Sequence, residues 1–220
     1  MRNAQVNSLA EAIMGLQDGA TVMVGGFGGA GLPRCLVRAV AETNIRGLTV
    51  ISNNAGSDET DLSLWFKKGL VQKIICSYPR NAGAFIQEYV KGHVELELVP
   101  QGTLVERIRA GGAGLGGILS PVGLGTVFEQ GKQKVCVDGK EYLVEKPLSA
   151  DFALLKGHVA DTFGNITYNK TARNHQAVMA TAAKTVVVEV SKVVSPGELD
   201  PEAIVTPCIF VDRIILPEAS

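Results

Sequence analysis

Several features that would assign a function at once are missing from this sequence of 220 residues. The net charge is −1, from 21 basic and 22 acidic residues, and no run of basic residues is longer than two. Because binding to nucleic acid requires clustered lysine and arginine to neutralise phosphates, no nucleic-acid partner is expected. No stretch approaches the roughly 20 apolar residues that span a bilayer, so no membrane partner is expected either.

The four cysteines form no framework for disulfides or for a metal. They lie far apart in the chain, without a Cys-x-x-Cys pair, at Cys35, Cys76, Cys136 and Cys208. Reduced thiols and no metal site are therefore expected. The first 16 residues lack a charged region followed by an apolar core, so no secretory signal is expected and the protein is predicted to be cytoplasmic.

No motif of this sequence marks a nucleophile. There is no Gly-x-Ser-x-Gly elbow. Cys76 ends an apolar run and is interpreted as a buried small hydrophobe. Glu145 and Glu189 lie near predicted strand ends, but neither adjoins a glycine loop. No acidic partner stands in a readable motif near the three histidines, which are interpreted as surface or structural residues: His93, His158 and His175.

Apolar runs alternate with helical patterns through the first half of the chain. Such alternation predicts a parallel sheet with helices on its faces, and the nearly continuous Val/Ile/Leu runs are typical of strands buried on both sides. The predicted strands are 21–24, 48–52, 73–76 and 94–99. The predicted helices are 6–16, 34–44, 62–68, 84–91 and 104–110.

The second half adds an antiparallel element. Asp138-Gly139 joins two short apolar runs, 135–137 and 142–145, and predicts a β-hairpin. No linker or internal repeat interrupts the chain, so residues 1–220 are predicted to form one α/β domain. Further strands are predicted at 152–155, 185–190 and 209–216, with a helix over 170–182.

A second glycine-rich segment, residues 111–117, leaves two explanations open. Ordering so many glycines carries a large entropy cost. The segment either moves or lets another backbone approach closely, or it is a poorly ordered surface connection.

The strongest local signal covers residues 18–33, Asp-Gly-Ala-Thr-Val-Met-Val-Gly-Gly-Phe-Gly-Gly-Ala-Gly-Leu-Pro. The apolar run 22–24 predicts a buried strand, five glycines follow within seven residues, and Pro33 suits the first turn of a helix. Backbone N–H groups at such a junction can bind a phosphate, a carboxylate or a thioester oxygen.

Residues 26–31 also fit the dinucleotide pattern G-x-G-x-x-G, with a strand before and a helix after. The acidic residue expected about 20 residues further on, at the end of the next strand, is absent. Asn53-Asn54 stands there instead, which weakens the nicotinamide interpretation without removing it.

Neutral amides cluster at the predicted carboxyl edge of the sheet. Asn53 and Asn54 follow the second strand, Gln101 follows the fourth, and the first glycine loop lies at the same edge. Such a lining suits a carbonyl or carboxylate held by neutral hydrogen bonds. The alternatives are a simple asparagine turn and a helix-start bond from Gln101. Arg107 and Arg109 either bind an anion or complement a helix dipole.

Residues 18–33 match the signature of family I CoA-transferases: Asp-Gly, two residues, three apolar residues, Gly-Gly-Phe, three residues, Gly, one residue, Pro. The chain resembles the α (A) subunit of a 3-oxoacid or short-chain fatty-acid CoA-transferase over nearly its whole length. The further matching segments are 52–56, 99–104, 106–114, 123–126, 151–154 and 172–174.

The resemblance implies that CoA moves between a short-chain acyl-CoA, such as succinyl-, acetyl- or butyryl-CoA, and a 3-oxoacid such as acetoacetate. The implied route is a glutamyl-CoA thioester. In this family the glutamate lies in a Ser-Glu-Asn-Gly motif of the β subunit, and this chain contains no Glu-Asn-Gly. The resemblance therefore implies no catalytic nucleophile here, a β-subunit partner, commonly as α2β2, and acyl-CoA as substrate without a tightly bound cofactor.

The implied fold is the three-layer α/β/α CoA-transferase fold, with a mainly parallel sheet and a hairpin element. Asn53 and Gln101 match the amides that face the reacting carboxylate. A CoA- or phosphosugar-binding relative with hydrolase or isomerase activity is the alternative, and among acyl groups acetate, butyrate, succinate and 3-oxoadipate stay open. The glycine loop assigned to CoA comprises Gly25, Gly26, Phe27, Gly28, Gly29, Ala30 and Gly31.

Overall fold

The computed structural model describes residues 3–57 and 60–217. Within that part, the strands in chain order are β1 Thr21–Val24, β2 Leu48–Ile51, β3 Val71–Cys76, β4 Glu95–Leu98, β5 Ile118–Ser120, β6 Lys134–Val137, β7 Lys140–Glu145, β8 Ala150–Lys156, β9 Val159–Asp161, β10 Ala183–Glu189, β11 Lys192–Val194 and β12 Arg213–Ile215. Seven of them form one sheet in the order β12-β10-β8-β1-β2-β3-β4. Every pairing in this sheet is parallel, as predicted.

Strand β1 lies at the centre of the sheet and is covered on both faces. Its residues Val22, Met23 and Val24 have no exposed surface. Because successive strand side chains point to opposite faces, Val22 and Val24 pack into one apolar cluster and Met23 into another. The sheet is therefore the middle of three layers.

Helices supply the two outer layers. They are α1 Leu9–Ala12, α2 Arg34–Ala41, α3 Ser63–Lys67, α4 Gly83–Val90, α5 Gln101–Gly112 and α6 Gln176–Ala180. The first four contribute to the cluster on one face, for example through Leu36 and Trp65. Helices α5 and α6 contribute to the other through Ile108 and Met179. The predicted three-layer α/β/α class is confirmed. None of these helices of residues 3–57 and 60–217 is long and apolar enough to cross a bilayer.

The predicted hairpin is present beside this core. Strands β6 and β7 pair antiparallel around Asp138 and Gly139, whose φ values are +50° and +75°. Both residues thus adopt the left-handed conformation that a tight type I′ hairpin turn requires. Strand β5 pairs with the far side of β7 and completes a small antiparallel sheet, β5-β7-β6.

The glycine-rich segment 111–117 begins inside α5. A Cβ on Gly111 would lie 2.1 Å from the backbone oxygen of Leu148, and the Leu148 N–H donates to the Arg107 carbonyl at 2.8 Å. Of the two explanations left open by the sequence, close approach of another backbone therefore applies at Gly111.

Several predicted elements are shorter than their apolar patterns, and three of them differ most. The predicted helix 170–182 is divided into a 3₁₀ turn, Lys170–Arg173, and the short α6. Between them Asn174 leaves the helical region and its side-chain oxygen accepts from the next N–H, a local bond that competes with the helix. Strand 209–216 shrinks to β12 because Cys208–Phe210 form another 3₁₀ turn, and helix 6–16 shrinks to α1.

Candidate functional site

The first glycine loop is a tight turn at the carboxyl end of β1. Phe27 and Ala30 exchange two backbone hydrogen bonds of 3.0 Å, with Gly28 and Gly29 at the tip. Four of the five glycines in 25–31 have positive φ, a conformation that L side chains rarely adopt. Pro33 stands at the residue before α2 rather than inside its first turn.

A chain of side-chain amides runs beside this loop. Asn54 Nδ2 donates to Asn53 Oδ1 at 3.3 Å, and Asn53 Nδ2 donates to Gln101 Oε1 at 2.7 Å. Gln101 Nε2 then lies 2.7 Å from Nε2 of His175. The helix-start alternative for Gln101 is wrong, because its side chain bonds to Asn53 and His175, and no side chain of the described residues caps α5. The turn alternative applies to Asn54, whose Oδ1 accepts from the Gly56 N–H at 2.9 Å.

His175 is buried beside Gln101, so the structural interpretation applies to it rather than the surface one, and its contact with Gln101 was not predicted. Burial lowers its pKa from the usual 6.5, so the ring is neutral at pH 7. A neutral ring accepts the Gln101 N–H at Nε2 and carries its proton on Nδ1, which has no partner among the described residues. The ring also packs against Phe27, with 5.9 Å between centroids.

The two residues that flank His175 hold the glycine loop. Asn174 Nδ2 donates to the Ala30 carbonyl at 3.0 Å, and Gln176 Nε2 donates to the Gly31 carbonyl at 2.6 Å. Gln176 Oε1 accepts from the Lys156 N–H at the end of β8 at 3.1 Å, and its side chain has no exposed surface. Sequence reasoning missed Gln176; the only available signal was its position just after the matching segment 172–174.

A cavity of about 470 Å³ opens between the loop and the amides. Its walls come from the segments that follow β1, β2, β3 and β4, the edge where parallel sheets bind ligands. Among the described residues, the lining offers amides, hydroxyls and backbone, with one guanidinium. These residues are Phe27, Gly28, Asn53, Asn54, Gly56, Ser57, Ser77, Tyr78, Arg80, Asn81 and Gln101.

The buried thiol of Cys76 and the carboxylates of Glu189 and Glu145 have roles in packing and in bonding within the chain. Cys76 is fully buried and burial raises the pKa of its thiol to about 12, which confirms its interpretation as a small hydrophobe. Glu189 is buried at the end of β10 and pairs with Lys156 at 3.1 Å. Its carboxylate accepts from the N–H groups of Cys35 and Leu36, at 2.8 and 3.1 Å, in the first turn of α2. Glu145 is buried and pairs with a lysine.

The arginines of α5 lie outside this cavity. Arg107 is buried and donates to Glu97 and to the Lys146 carbonyl, both at 2.7 Å, so it ties α5 to β4. Arg109 pairs with Glu106 of the same helix at 3.0 Å. No group of three or more His, Cys, Asp or Glu side chains in residues 3–57 and 60–217 is arranged to hold a metal ion.

A sequence profile described as Coenzyme A transferase matches residues 6–216. The chain belongs to the Coenzyme A transferase family. It is 49% identical over 217 residues to the α (A) subunit of the 3-oxoadipate CoA-transferase of Pseudomonas putida, covering 98% of this chain and 94% of that one. It is 45% identical over 213 residues to the α subunit of the acetate CoA-transferase of Escherichia coli K12, covering 97% of each.

Solved structures agree with this family assignment. An acyl-CoA transferase of Escherichia coli O157:H7, in a thioester complex with CoA, superposes with a TM-score of 0.88 at 26% identity. The match covers 98% of this chain and 47% of that one, so this CoA-transferase chain spans about half the length of that enzyme. The fold is shared with glutaconate coenzyme A-transferase of Acidaminococcus fermentans, which superposes with a TM-score of 0.84 at 19% identity. That match covers 96% of this chain and 75% of the other. The family and fold predicted from the sequence are confirmed.

Proposed function

We propose that this chain is the α (A) subunit of a heteromeric CoA-transferase that moves CoA between a short-chain acyl-CoA and a 3-oxoacid. The observation that carries the proposal is the amide chain beside the glycine loop, in a sequence without Glu-Asn-Gly. Relatives named for 3-oxoadipate, for acetate and for succinyl-CoA with a 3-ketoacid support this substrate class. Succinyl-, acetyl- and butyryl-CoA are the candidate donors.

The nucleophile in this proposal is a glutamate of the partner subunit, in a Ser-Glu-Asn-Gly motif, within an α2β2 assembly. It attacks the acyl-CoA thioester, which gives an acyl–glutamyl anhydride and releases the CoA thiolate. The thiolate then attacks the glutamyl carbonyl, so that a glutamyl-CoA thioester forms and the donor leaves as a free carboxylate. The acceptor carboxylate takes CoA from the glutamyl group by the same two steps in reverse. Both substrates and the intermediates are carboxyl derivatives. Neutral donors stabilise the developing oxyanion without pairing with the attacking carboxylate, which a lysine or arginine at the same place would neutralise.

Asn53 and Gln101 are proposed to be these donors. Each amide nitrogen has two hydrogens, and one of them is used within the chain, by Gln101 Oε1 and by His175 Nε2. The second hydrogen of each is left for a substrate oxygen. The loop 25–31 is proposed to bind CoA with those backbone N–H groups that its own turn and the pairing of Gly25 with Leu154 do not use. The single-domain organisation of residues 1–220 and a cytoplasmic location stay predictions.

The test is a comparison of the isolated chain with its complex. CoA transfer is measured with each, using succinyl-CoA and acetoacetate, and the partner is taken from the neighbouring reading frame that encodes Ser-Glu-Asn-Gly. Transfer is expected only from the complex, and only when the acceptor carboxylate is present. Equal activity of the isolated chain would refute the shared site. Consumption of acyl-CoA without an acceptor would favour a hydrolase.

A further inference from the structure

Arg80 is the only charged side chain among the described residues that line the cavity. It follows β3, in a segment fixed against the amides: the N–H groups of Ser77 and Tyr78 both donate to the Asn53 carbonyl, at 3.1 and 3.0 Å. Tyr78 and Asn54 also form an isolated parallel bridge. The position of Arg80 is therefore coupled to the same segment that presents Asn53.

The guanidinium of Arg80 makes no hydrogen bond and no ion pair with any other residue of 3–57 and 60–217. Arg107 provides the contrast, since it is buried and bonded to Glu97 and to a backbone carbonyl. A guanidinium is always charged, and its planar fork of donors matches a carboxylate. Among the described residues of the lining, which are otherwise neutral, Arg80 thus adds an unused anion-binding group.

We infer that the site takes dicarboxylic acyl groups: the distal carboxylate pairs with Arg80 while the reacting carboxyl group lies against Asn53 and Gln101. The inference rests on the proposed function and narrows its substrate class. A chain that ends in a methyl group would displace water from Arg80 and offer nothing in return. A chain that ends in a carboxylate would supply charge-assisted, bidentate hydrogen bonds.

The test uses pairs of substrates that differ only at the distal end. Succinyl-CoA and butyryl-CoA are compared as donors to acetoacetate, and 3-oxoadipate and 3-oxohexanoate as acceptors from succinyl-CoA, with the complex of both subunits. The wild type is expected to favour the dicarboxylic member of each pair by kcat/KM. Arg80→Met should lower kcat/KM for succinyl-CoA about ten- to hundredfold, the effect of losing a hydrogen bond to a charged group.

The same variant should change kcat/KM for butyryl-CoA far less, so that the preference collapses. Arg80→Lys keeps the charge but loses the fork, and should retain part of the preference. Arg38→Met is the matched control, because it removes an exposed arginine of α2 outside this cavity.

Two outcomes would overturn the inference alone: equal losses for both donors in Arg80→Met, or a wild type that favours butyryl-CoA. Absence of transfer from either donor in the wild-type complex would instead refute the proposed function, and this inference with it. Thermal unfolding of each variant shows whether a loss reflects misfolding, and in that case Arg80→Lys decides the matter.

Discussion

Replacement of Gln176 by leucine should loosen the glycine loop. The side chain has no exposed surface and links the Gly31 carbonyl to the Lys156 N–H, at 2.6 and 3.1 Å. Leucine has a similar size and makes neither bond. An unsatisfied buried polar group costs about 1–3 kcal/mol. Because Gly31 and Lys156 are themselves partly exposed, we expect the lower part of that range for each, about 2–3 kcal/mol in total.

The assay is urea unfolding followed by circular dichroism, with thermal unfolding beside it. For a chain of this size, the expected loss corresponds to a fall in Tm of about 4–12 °C. In the complex with the partner subunit, KM for acyl-CoA should rise, because the loop proposed to bind CoA is no longer held. A free energy of unfolding within about 0.5 kcal/mol of the wild type, the range of neutral surface changes, would refute this reasoning.

Gln176→Glu is the matched control for shape. One carboxylate oxygen can still accept from the Lys156 N–H, but the other faces the Gly31 carbonyl and cannot donate while it is ionised. This variant should therefore be destabilised at pH 7 and recover as the pH falls, because a protonated carboxyl group donates again. Gln176→Leu should show no such recovery.

Three further predictions concern the amides, the buried histidine and the loop. As removal of an oxyanion donor should, Asn53→Ala and Gln101→Ala are each expected to lower kcat roughly 10²–10³-fold and to change KM less. An unchanged kcat in both variants would contradict the assignment of these amides as oxyanion donors. In the folded chain the pKa of His175 lies below 6.5, so the unfolded chain binds a proton at this residue more readily. The stability that comes from the neutral ring is therefore complete above pH 6.5. It is lost as the pH falls through the lower pKa of the folded state. Urea unfolding between pH 7 and pH 5 should show this loss in the wild type and a smaller one in His175→Phe; equal losses would count against it. Gly31→Ala should destabilise the protein by more than about 1 kcal/mol, since φ is +74° and the new Cβ would lie 2.6 Å from a backbone oxygen. Gly28→Ala is its control, because φ is +55° there but no atom lies within 4 Å of the new Cβ. Equal falls in Tm in the two variants would show that the clash at Gly31 does not matter.

The sequence by itself determined the elements whose signals are local. The apolar runs of β1 to β4, the Asp138-Gly139 hairpin and the strand–glycine–helix order around residues 21–41 all appear where they were predicted. Hydrophobic periodicity and turn chemistry act over a few residues, so they can be recognised without the rest of the chain. The position of Asn53 and Gln101 at one edge of the sheet was also predicted from the sequence, because the carboxyl ends of parallel strands meet at the same edge.

Only the tertiary structure decided which other side chains complete the site. His175 meets Gln101 across 74 residues of sequence, Gln176 meets Gly31 across 145, and Glu189 meets Leu36 across 153. Nothing in the local sequence marks these pairs, because neither a neutral hydrogen bond nor a carboxylate that accepts from a helix N–H needs a periodic pattern or a charged motif. Burial makes such bonds specific, since inside the protein each polar group must find a partner, and the fold alone determines which one it meets.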